Sequence, residues 1–290
     1  MSQQRRTRLM AILNVTPDSF SDGGQLCDSQ GALNEAAVLK RMDQLLAEGF
    51  DPSLDIIDVG GESTRPGARL LGVEEELARI LPVLDLLCSR FSNFCISVDT
   101  RKAKVAQAAL DAGASMINDV SGLQFDEGMA AVVARAGCPL VLMHSVGTPE
   151  TMQSLAEKPE TYPDGVVEAV KQFFKRQLQV AQEAGILKEN LILDPGFGFG
   201  KTQAHHLTLL QSLNQVKRNF AEYPLLVGIS RKSFLTLGDK SILPSRRETL
   251  TAATTYEAVV YGNADIVRIH DVKSQLPVIV FAEASQRCIT

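Results

Sequence analysis

Polar and charged side chains follow short apolar runs at many points of this 290-residue sequence. Asp99, Asn118 and Asp194 each end such a run, and Lys232 comes shortly after another. A carboxylate can accept two adjacent N–H groups, while an amide and an ammonium group add donors. This combination would suit a flat nitrogen heterocycle with amide-like edges. A sugar site would usually use a stacking Trp, and the chain contains no Trp.

A second set of residues has the chemistry of an anion site. Asn14, Thr64, Arg268 and His270 follow the first, second and last apolar runs. Backbone N–H groups at helix N-termini would add to such a site, because the positive end of the helix dipole attracts phosphate. The pattern therefore predicts that a phosphorylated group binds beside the heterocycle.

The segment from Asp194 to Thr202 alternates glycine with phenylalanine and ends in Gly-Lys-Thr. It is not a phosphate-binding P-loop, because the first glycine of that motif would fall on Pro195. We interpret the segment as a mobile loop that presents Phe199 as a stacking face. The alternative, a glycine-rich turn with core phenylalanines, remains open.

The composition excludes several classes of protein. The net charge of −5 argues against a general nucleic-acid or anionic-membrane binder. None of the four histidines has zinc-ligand spacing, and we expect the adjacent pair His205 and His206 at the surface. The apolar run from Leu9 to Leu13 is too short for a signal peptide, and no run is long enough to span a bilayer. With an odd number of scattered cysteines, these features predict a cytoplasmic protein without membrane contact.

Apolar runs alternate with segments of helical periodicity along the whole chain. Nearly uniform apolar runs are typical of parallel strands that are buried on both faces. The predicted strands are residues 8–13, 54–60, 94–98, 114–118, 139–143, 190–194, 225–229 and 264–269. The predicted helices are residues 31–48, 73–91, 102–112, 126–136, 164–185, 204–221, 247–262 and 271–288.

Eight strands that alternate with eight helices predict an α/β fold, a (β/α)8 TIM barrel. A doubly wound sheet is the structural alternative, but it normally carries a glycine-rich first turn, which is absent after Asn14. No linker divides the chain, so we expect residues 1–290 to form a single domain. The active site of such a barrel lies at the C-terminal ends of its strands. One polar residue there could be a helix cap, but polar residues after all eight strands predict an enzyme.

At the level of whole motifs, the chain resembles the dihydropteroate synthase family. The matching segments occur in family order and extend from about residue 9 to residue 275. They are residues 12–24, 58–67, 97–100, 117–119, 142–144, 194–201, 230–233 and 268–272.

The resemblance implies a transferase of folate biosynthesis. It would join 6-hydroxymethyl-7,8-dihydropterin diphosphate to p-aminobenzoate, losing diphosphate first, with Mg²⁺ as cofactor. It also implies a homodimer that sulfonamides inhibit.

The resemblance also assigns the site residues. Those that bind the pterin would be Asp99, Asn118, Met143, Asp194, Lys232 and Arg268, and those that bind the diphosphate would be Asn14, Thr64, Arg268 and His270. Phe20, Pro66, Phe199 and Ser233 would shape the p-aminobenzoate site, and Asp22 and Arg65 would arrive with closing loops. Catalysis would rest on Asp99, Asp194, Lys232, Arg268 and Asn14, and Asn14 would also help to place the metal.

Two other functions are compatible with a pterin-binding barrel. A methyltetrahydrofolate–corrinoid methyltransferase would share the set of Asp and Asn residues but would not need the residues for diphosphate. In an inactive pterin-binding paralogue, some of the residues that bind the diphosphate, or some of the loop residues, would be replaced. The intact Thr64–Arg65 and Arg268–His270 segments disfavour both alternatives.

Overall fold

Eight parallel strands form one sheet that curls into a barrel. In the computed structural model, the described residues are 7–16, 26, 33–65, 67–239 and 241–289. The strands are β1 (Arg8–Asn14), β2 (Ile56–Gly60), β3 (Cys95–Asp99), β4 (Met116–Asp119), β5 (Leu140–Met143), β6 (Leu191–Asp194), β7 (Leu226–Val227) and β8 (Ile266–Ile269). Their order in the sheet is β6-β5-β4-β3-β2-β1-β8-β7. A single bridge between Leu193 and Leu225 joins the two edges, so the predicted (β/α)8 barrel is confirmed.

Helices follow the strands and cover the outside of the barrel. They are α1 (Glu35–Ala47), α2 (Val73–Arg90), α3 (Ala103–Asp111), α4 (Met129–Ala136), α5 (Met152–Ala156), α6 (Val166–Glu183), α7 (Gln203–Gln211), α8 (Leu213–Asn219), α9 (Glu248–Val260) and α10 (Val272–Ile289). Short 3₁₀ helices lie at Pro159–Thr161, Lys188–Asn190, Ser233–Thr236 and Pro244–Arg246. Within the described ranges, no helix is both long and apolar enough to cross a membrane.

The helices differ from the sequence prediction in two larger details, apart from shifts at the ends of the elements. The helix predicted over residues 204–221 is interrupted at Ser212, where α7 ends and α8 begins. Helix α5 was not predicted, because five residues are too short to show a helical period.

The barrel interior is filled at its lower end by one apolar side chain from almost every strand. This layer contains Met10, Ile56, Met116, Val141, Ile192, Leu226 and Ile266, with the partly buried Cys95 against it. A larger apolar cluster packs between the strands and the surrounding helices. The interior layer closes the bottom of the barrel, so a ligand can enter only from the C-terminal ends of the strands.

Candidate active site

The floor of the site is formed by the residues that lie two positions after the apolar layer along each strand. Side chains two residues apart on a strand point to the same side, so the residues two positions after the layer also face the barrel interior. These residues are Ile12, Asp58, Ser97, Asn118, Met143, Asp194, Gly228 and Arg268. Five of these eight residues are polar, and this change from apolar to polar side chains marks the floor of the site.

A cavity of 740 Å³ opens above this floor. Every predicted site residue that the structure describes lines it. These residues are Asn14, Thr64, Arg65, Asp99, Asn118, Met143, Asp194, Phe199, Lys232, Ser233, Arg268 and His270. The other three predicted residues, Phe20, Asp22 and Pro66, lie outside the described residues.

Arg268 connects the acidic residues of the floor. Its Nε donates to Asp58 Oδ2 over 2.7 Å, and its Nη2 donates to Asp99 Oδ2 over 3.0 Å. Asp58 Oδ2 also accepts from Asn118 Nδ2 at 3.0 Å. Asp58 is fully buried and was not among the predicted site residues. The signal that could have found it is a charged residue within a strand whose other residues are apolar.

Burial shifts the pKa values of the titratable residues on this floor. Desolvation raises the pKa of Asp99. The positive charge of Arg268 partly offsets this rise, and the nearby negative charge of Asp58 adds to it. Desolvation also raises the pKa of Asp194 to about 6, against a backbone hydrogen bond from Gly196 that lowers it. For Lys232, desolvation and the charge of Arg268 lower the pKa to about 8. Such shifts are frequent at active sites, because catalysis uses groups that titrate near neutral pH.

Positive charge gathers on the side of the cavity where His270 lies. Ser230 Oγ is 3.0 Å from His270 Nδ1 and accepts the backbone N–H of His270, which fixes the imidazole ring. Desolvation, and then the charges of Arg231 and Arg268, lower the pKa of His270 well below its usual value. This side of the cavity can therefore accommodate an anion with several negative oxygens.

The glycine-rich segment supplies one core ring and one cavity ring. Phe197 is 1% exposed and belongs to the apolar core, whereas Phe199 lines the cavity with its ring centroid 4.4 Å from Lys232 Nζ. Phe197 therefore agrees with the interpretation of core phenylalanines, while Phe199 faces the cavity and its role as a stacking face in a mobile loop stays a prediction. A Cβ atom at Gly198 would lie 2.8 Å from Lys232 Cδ, so glycine is needed for this close approach.

Several polar residues near the strand ends hold the scaffold around the cavity. Asp119 accepts hydrogen bonds from Ser121 and Leu123 and so holds the turn after β4. Arg101 pairs with Glu62 at 3.0 Å and lies 4.5 Å from the ring centroid of Phe125. Arg101 and Lys102 both contact Glu62, which anchors the base of the segment that carries Thr64 and Arg65.

His206 contradicts the expectation of a surface histidine pair. It is 4% exposed and stacks on Phe234 with ring centroids 4.4 Å apart. Desolvation, followed by the charges of Lys201 and Lys232, lowers its pKa to about 3. The helix α7 directs His205 and His206 to different sides, and the side of His206 faces the barrel, so only His205 is near the surface.

Comparisons with known proteins agree on one family. Residues 10–270 match the sequence model of a family described as pterin binding enzyme. The chain is 42% identical over 283 residues to the dihydropteroate synthase of Synechocystis sp., covering 98% of this chain and 91% of that protein.

Solved structures give the same result. The Yersinia pestis dihydropteroate synthase with a sulfonamide drug complex has a TM-score of 0.85 and 40% identity, over 97% of this chain and 95% of that one. The Thermus thermophilus dihydropteroate synthase in complex with 4-aminobenzoate has a TM-score of 0.79 and 37% identity, over 96% and 94% of the two chains.

Proposed function

Since the chain belongs to the dihydropteroate synthases, transferases of folate biosynthesis, we propose the following use of its cavity. In this cavity the enzyme joins 6-hydroxymethyl-7,8-dihydropterin diphosphate to p-aminobenzoate, giving 7,8-dihydropteroate and diphosphate. The observation that carries the assignment of residues is the division of the cavity. Carboxylates and an amide line its floor, and cationic groups line the side near His270.

The pterin ring binds on the floor. Its adjacent N–H groups donate to the carboxylates of Asp99 and Asp194, and Asn118 and Lys232 complete the pattern of donors and acceptors. Met143 and the guanidinium of Arg268 pack against its two faces. The fit is supported by the low exposure of these acids, 8% for Asp99 and 5% for Asp194, because shielding from water strengthens their hydrogen bonds.

The diphosphate binds on the cationic side, against Arg268, His270, Thr64 and Asn14. Negative charge increases on the diphosphate as the C–O bond to the pterin methylene breaks, and positive groups fixed at that place stabilise it. The pterin keeps the positive charge, which the buried carboxylates of Asp99 and Asp194 stabilise. Loss of diphosphate therefore precedes bond formation.

The second substrate then attacks. The aniline nitrogen of p-aminobenzoate carries a lone pair, so it forms the C–N bond and afterwards loses a proton without a catalytic Ser or Cys. Phe199 and Ser233 hold this ring, and Arg65 shields it from water, which would otherwise capture the pterin cation. Phe20, Asp22 and Pro66, to which the family resemblance assigns the same site, lie outside the described residues.

The donors present fit a magnesium ion that arrives with the diphosphate. Within the described ranges, no group of three or more His, Cys, Asp and Glu side chains could hold a metal. Mg²⁺ usually takes only one or two protein ligands and otherwise binds water and substrate phosphates. Asn14, whose Oδ1 lies beside Gly60, offers such a single oxygen at the diphosphate side. When bound, Mg²⁺ supplies further positive charge to the leaving diphosphate.

We propose in addition that the protein is a cytoplasmic, single-domain homodimer that sulfonamides inhibit. The C-terminal helices support the dimer, because Tyr261, Val280 and Phe281 are 59%, 52% and 66% exposed on α9 and α10 and their connection. Phe281→Glu should convert the dimer to a monomer in light scattering, and an unchanged mass would contradict this interface.

A sulfonamide should compete with p-aminobenzoate, and an inhibition curve that stays flat would contradict the assignment of the p-aminobenzoate site.

A coupled assay of diphosphate release tests the proposed reaction. Wild-type protein receives the dihydropterin diphosphate with and without p-aminobenzoate and Mg²⁺, and dihydropteroate is measured in parallel. We expect product only when both substrates and Mg²⁺ are present. Binding of the pterin without turnover would contradict the proposal and would point to the inactive paralogue or, after a corrinoid assay, to the methyltransferase.

A further inference from the structure

Lys201 is a buried cation whose Nζ forms no salt bridge with a carboxylate of the described residues. Its side chain is 3% exposed, and desolvation lowers its pKa to about 7, although the charge of Asp194 acts in the opposite direction. Burying an ammonium group is unfavourable unless its protons find good acceptors. A lysine in this position therefore needs a structural or functional reason.

The acceptors around Lys201 belong to the turn that follows β6 and to His144, which follows β5. Its Nζ donates to the carbonyl oxygens of Gly196 at 2.8 Å and Phe199 at 3.1 Å. It also lies 2.9 Å from His144 Nδ1 and 3.3 Å from His144 O. Desolvation lowers the pKa of His144 well below its usual value, so its neutral ring can accept through Nδ1.

The remaining features of the turn leave it little freedom. Tyr162 Oη donates to Gly200 O over 2.6 Å, next to the carbonyl of Phe199. Gly196 has a φ of +73°, and a Cβ atom there would lie 1.9 Å from His144 O. The turn is thus packed directly on His144, with Lys201 bonded to both.

The turn sets the distance between two groups that line the cavity. The Phe199 ring lies over Lys232 Nζ, and the Gly198 backbone packs on the Lys232 side chain. If the carbonyls of Gly196 and Phe199 lost their common donor, the turn could rotate and the ring would leave this position. Lys201 itself need not touch the reacting atoms for this effect.

We propose that Lys201 is a positioning residue that holds the Gly196–Gly200 turn. It thereby places Phe199 against Lys232 in the part of the cavity that we assign to p-aminobenzoate. The inference rests on the proposed function, in which Phe199 contacts p-aminobenzoate. It predicts that Lys201 affects the use of p-aminobenzoate far more than the binding of the pterin.

The test compares Lys201→Met with Lys217→Met. Lys217 also donates to a backbone carbonyl, that of Tyr223 at 2.8 Å, but it pairs with Asp265 before the start of β8, at the opposite end of the barrel. We expect Lys201→Met to raise KM for p-aminobenzoate about tenfold and to leave the Kd of the pterin diphosphate within about twofold. Lys217→Met should leave both constants unchanged.

A double-mutant cycle with Phe199→Ala tests whether Lys201 acts through Phe199. In the Phe199→Ala background, Lys201→Met should change KM for p-aminobenzoate by less than about twofold, because the ring it positions is already absent. An effect equal to that in wild type would overturn the inference, as would an unchanged KM in the single variant. If Lys201→Met does not fold, Tyr162→Phe carries the test: a rise in the same KM supports the inference, and an unchanged KM overturns it. Failure of wild-type turnover would instead overturn the proposed function.

Discussion

Replacing Asp58 by asparagine removes one of the two carboxylates that Arg268 contacts and keeps the size of the side chain. With charge centres about 4 Å apart, the ion pair is worth about 4 kcal/mol at an effective dielectric constant of about 20. Roughly half of this is offset, because the amide oxygen of the new side chain would still accept from Arg268 Nε and a neutral amide is less costly to bury. We expect a loss of about 2 kcal/mol in the free energy of unfolding, or about 3 °C in Tm.

The same change should weaken pterin use. The carboxylate of Asp58 holds both Arg268 and Asn118, at 2.7 Å and 3.0 Å, so both pterin contacts keep only a neutral acceptor in its place. If the full loss of about 2 kcal/mol is felt in the transition state, kcat/KM for the dihydropterin diphosphate falls about 30-fold. The negative charge of Asp58 also raises the pKa of Asp99, so its removal lowers that pKa and moves the acidic limb of the pH–rate profile to lower pH.

Asp55→Asn provides a matched control. Asp55 is equally buried just before β2, but it accepts from the backbone N–H groups of Leu9 and Asp51 at the lower end of the barrel. Steady-state kinetics from about pH 5 to about pH 9, with thermal unfolding of each variant, separates the two effects. Both variants should lose stability, but only Asp58→Asn should change the kinetics. Equal kinetic constants in the two variants, or an acidic limb that does not move, would show that Asp58 does not support the pterin site.

Three further variants or conditions test the site. Asp99→Asn should keep the fold, as judged by circular dichroism, and lower kcat at least about a hundredfold because the pterin loses a charged acceptor; near-normal turnover would remove Asp99 from the site. Arg268→Ala should weaken binding of inorganic diphosphate in calorimetry and lower turnover, and unchanged diphosphate affinity would contradict its role. The wild-type kcat/KM for the pterin substrate should fall below about pH 7, where first Asp99 and then Asp194 become protonated, and above about pH 8, where the Lys232 ammonium loses its proton. A flat profile over this range would show that none of these ionisations matters.

The fold was largely predictable from the sequence, because strands buried on both faces form uniform apolar runs. The predicted 139–143 and 190–194 differ from β5 and β6 by one residue at the start. Strand β7 is shorter than the predicted 225–229, since only Leu226 and Val227 form a ladder with β8. Its neighbour Gly228 already belongs to the cavity wall, where ladder pairing has ended.

The site was predictable where a polar residue ends a strand. Asp99, Asn118 and Asp194 have this signature and line the cavity, while their roles remain predictions. Asp119 has the same signature but holds a turn, because its side chain points away from the barrel interior next to the inward Asn118. Sequence position alone cannot separate the two without the strand register.

Supporting residues were the hardest to predict. In the sequence, Lys201 belongs to a segment that resembles the end of a phosphate-binding P-loop without matching that motif. Its hydrogen-bond partner His144 is 57 residues away. Tyr162, which holds the same turn, is 38 residues from the Gly200 that it contacts. Such long-range contacts leave no local pattern in the sequence. They become visible only when the turn after β6 is packed on the end of β5.

A crystal structure with the dihydropterin diphosphate and Mg²⁺ would show whether the floor of the cavity binds the pterin and its cationic side binds the diphosphate. We expect the pterin N–H groups to lie within hydrogen-bond distance of Asp99 and Asp194, with the diphosphate against Arg268 and His270. A pterin bound in the reverse direction, or in the neighbouring 320 Å³ cavity beside Phe125, would contradict this assignment.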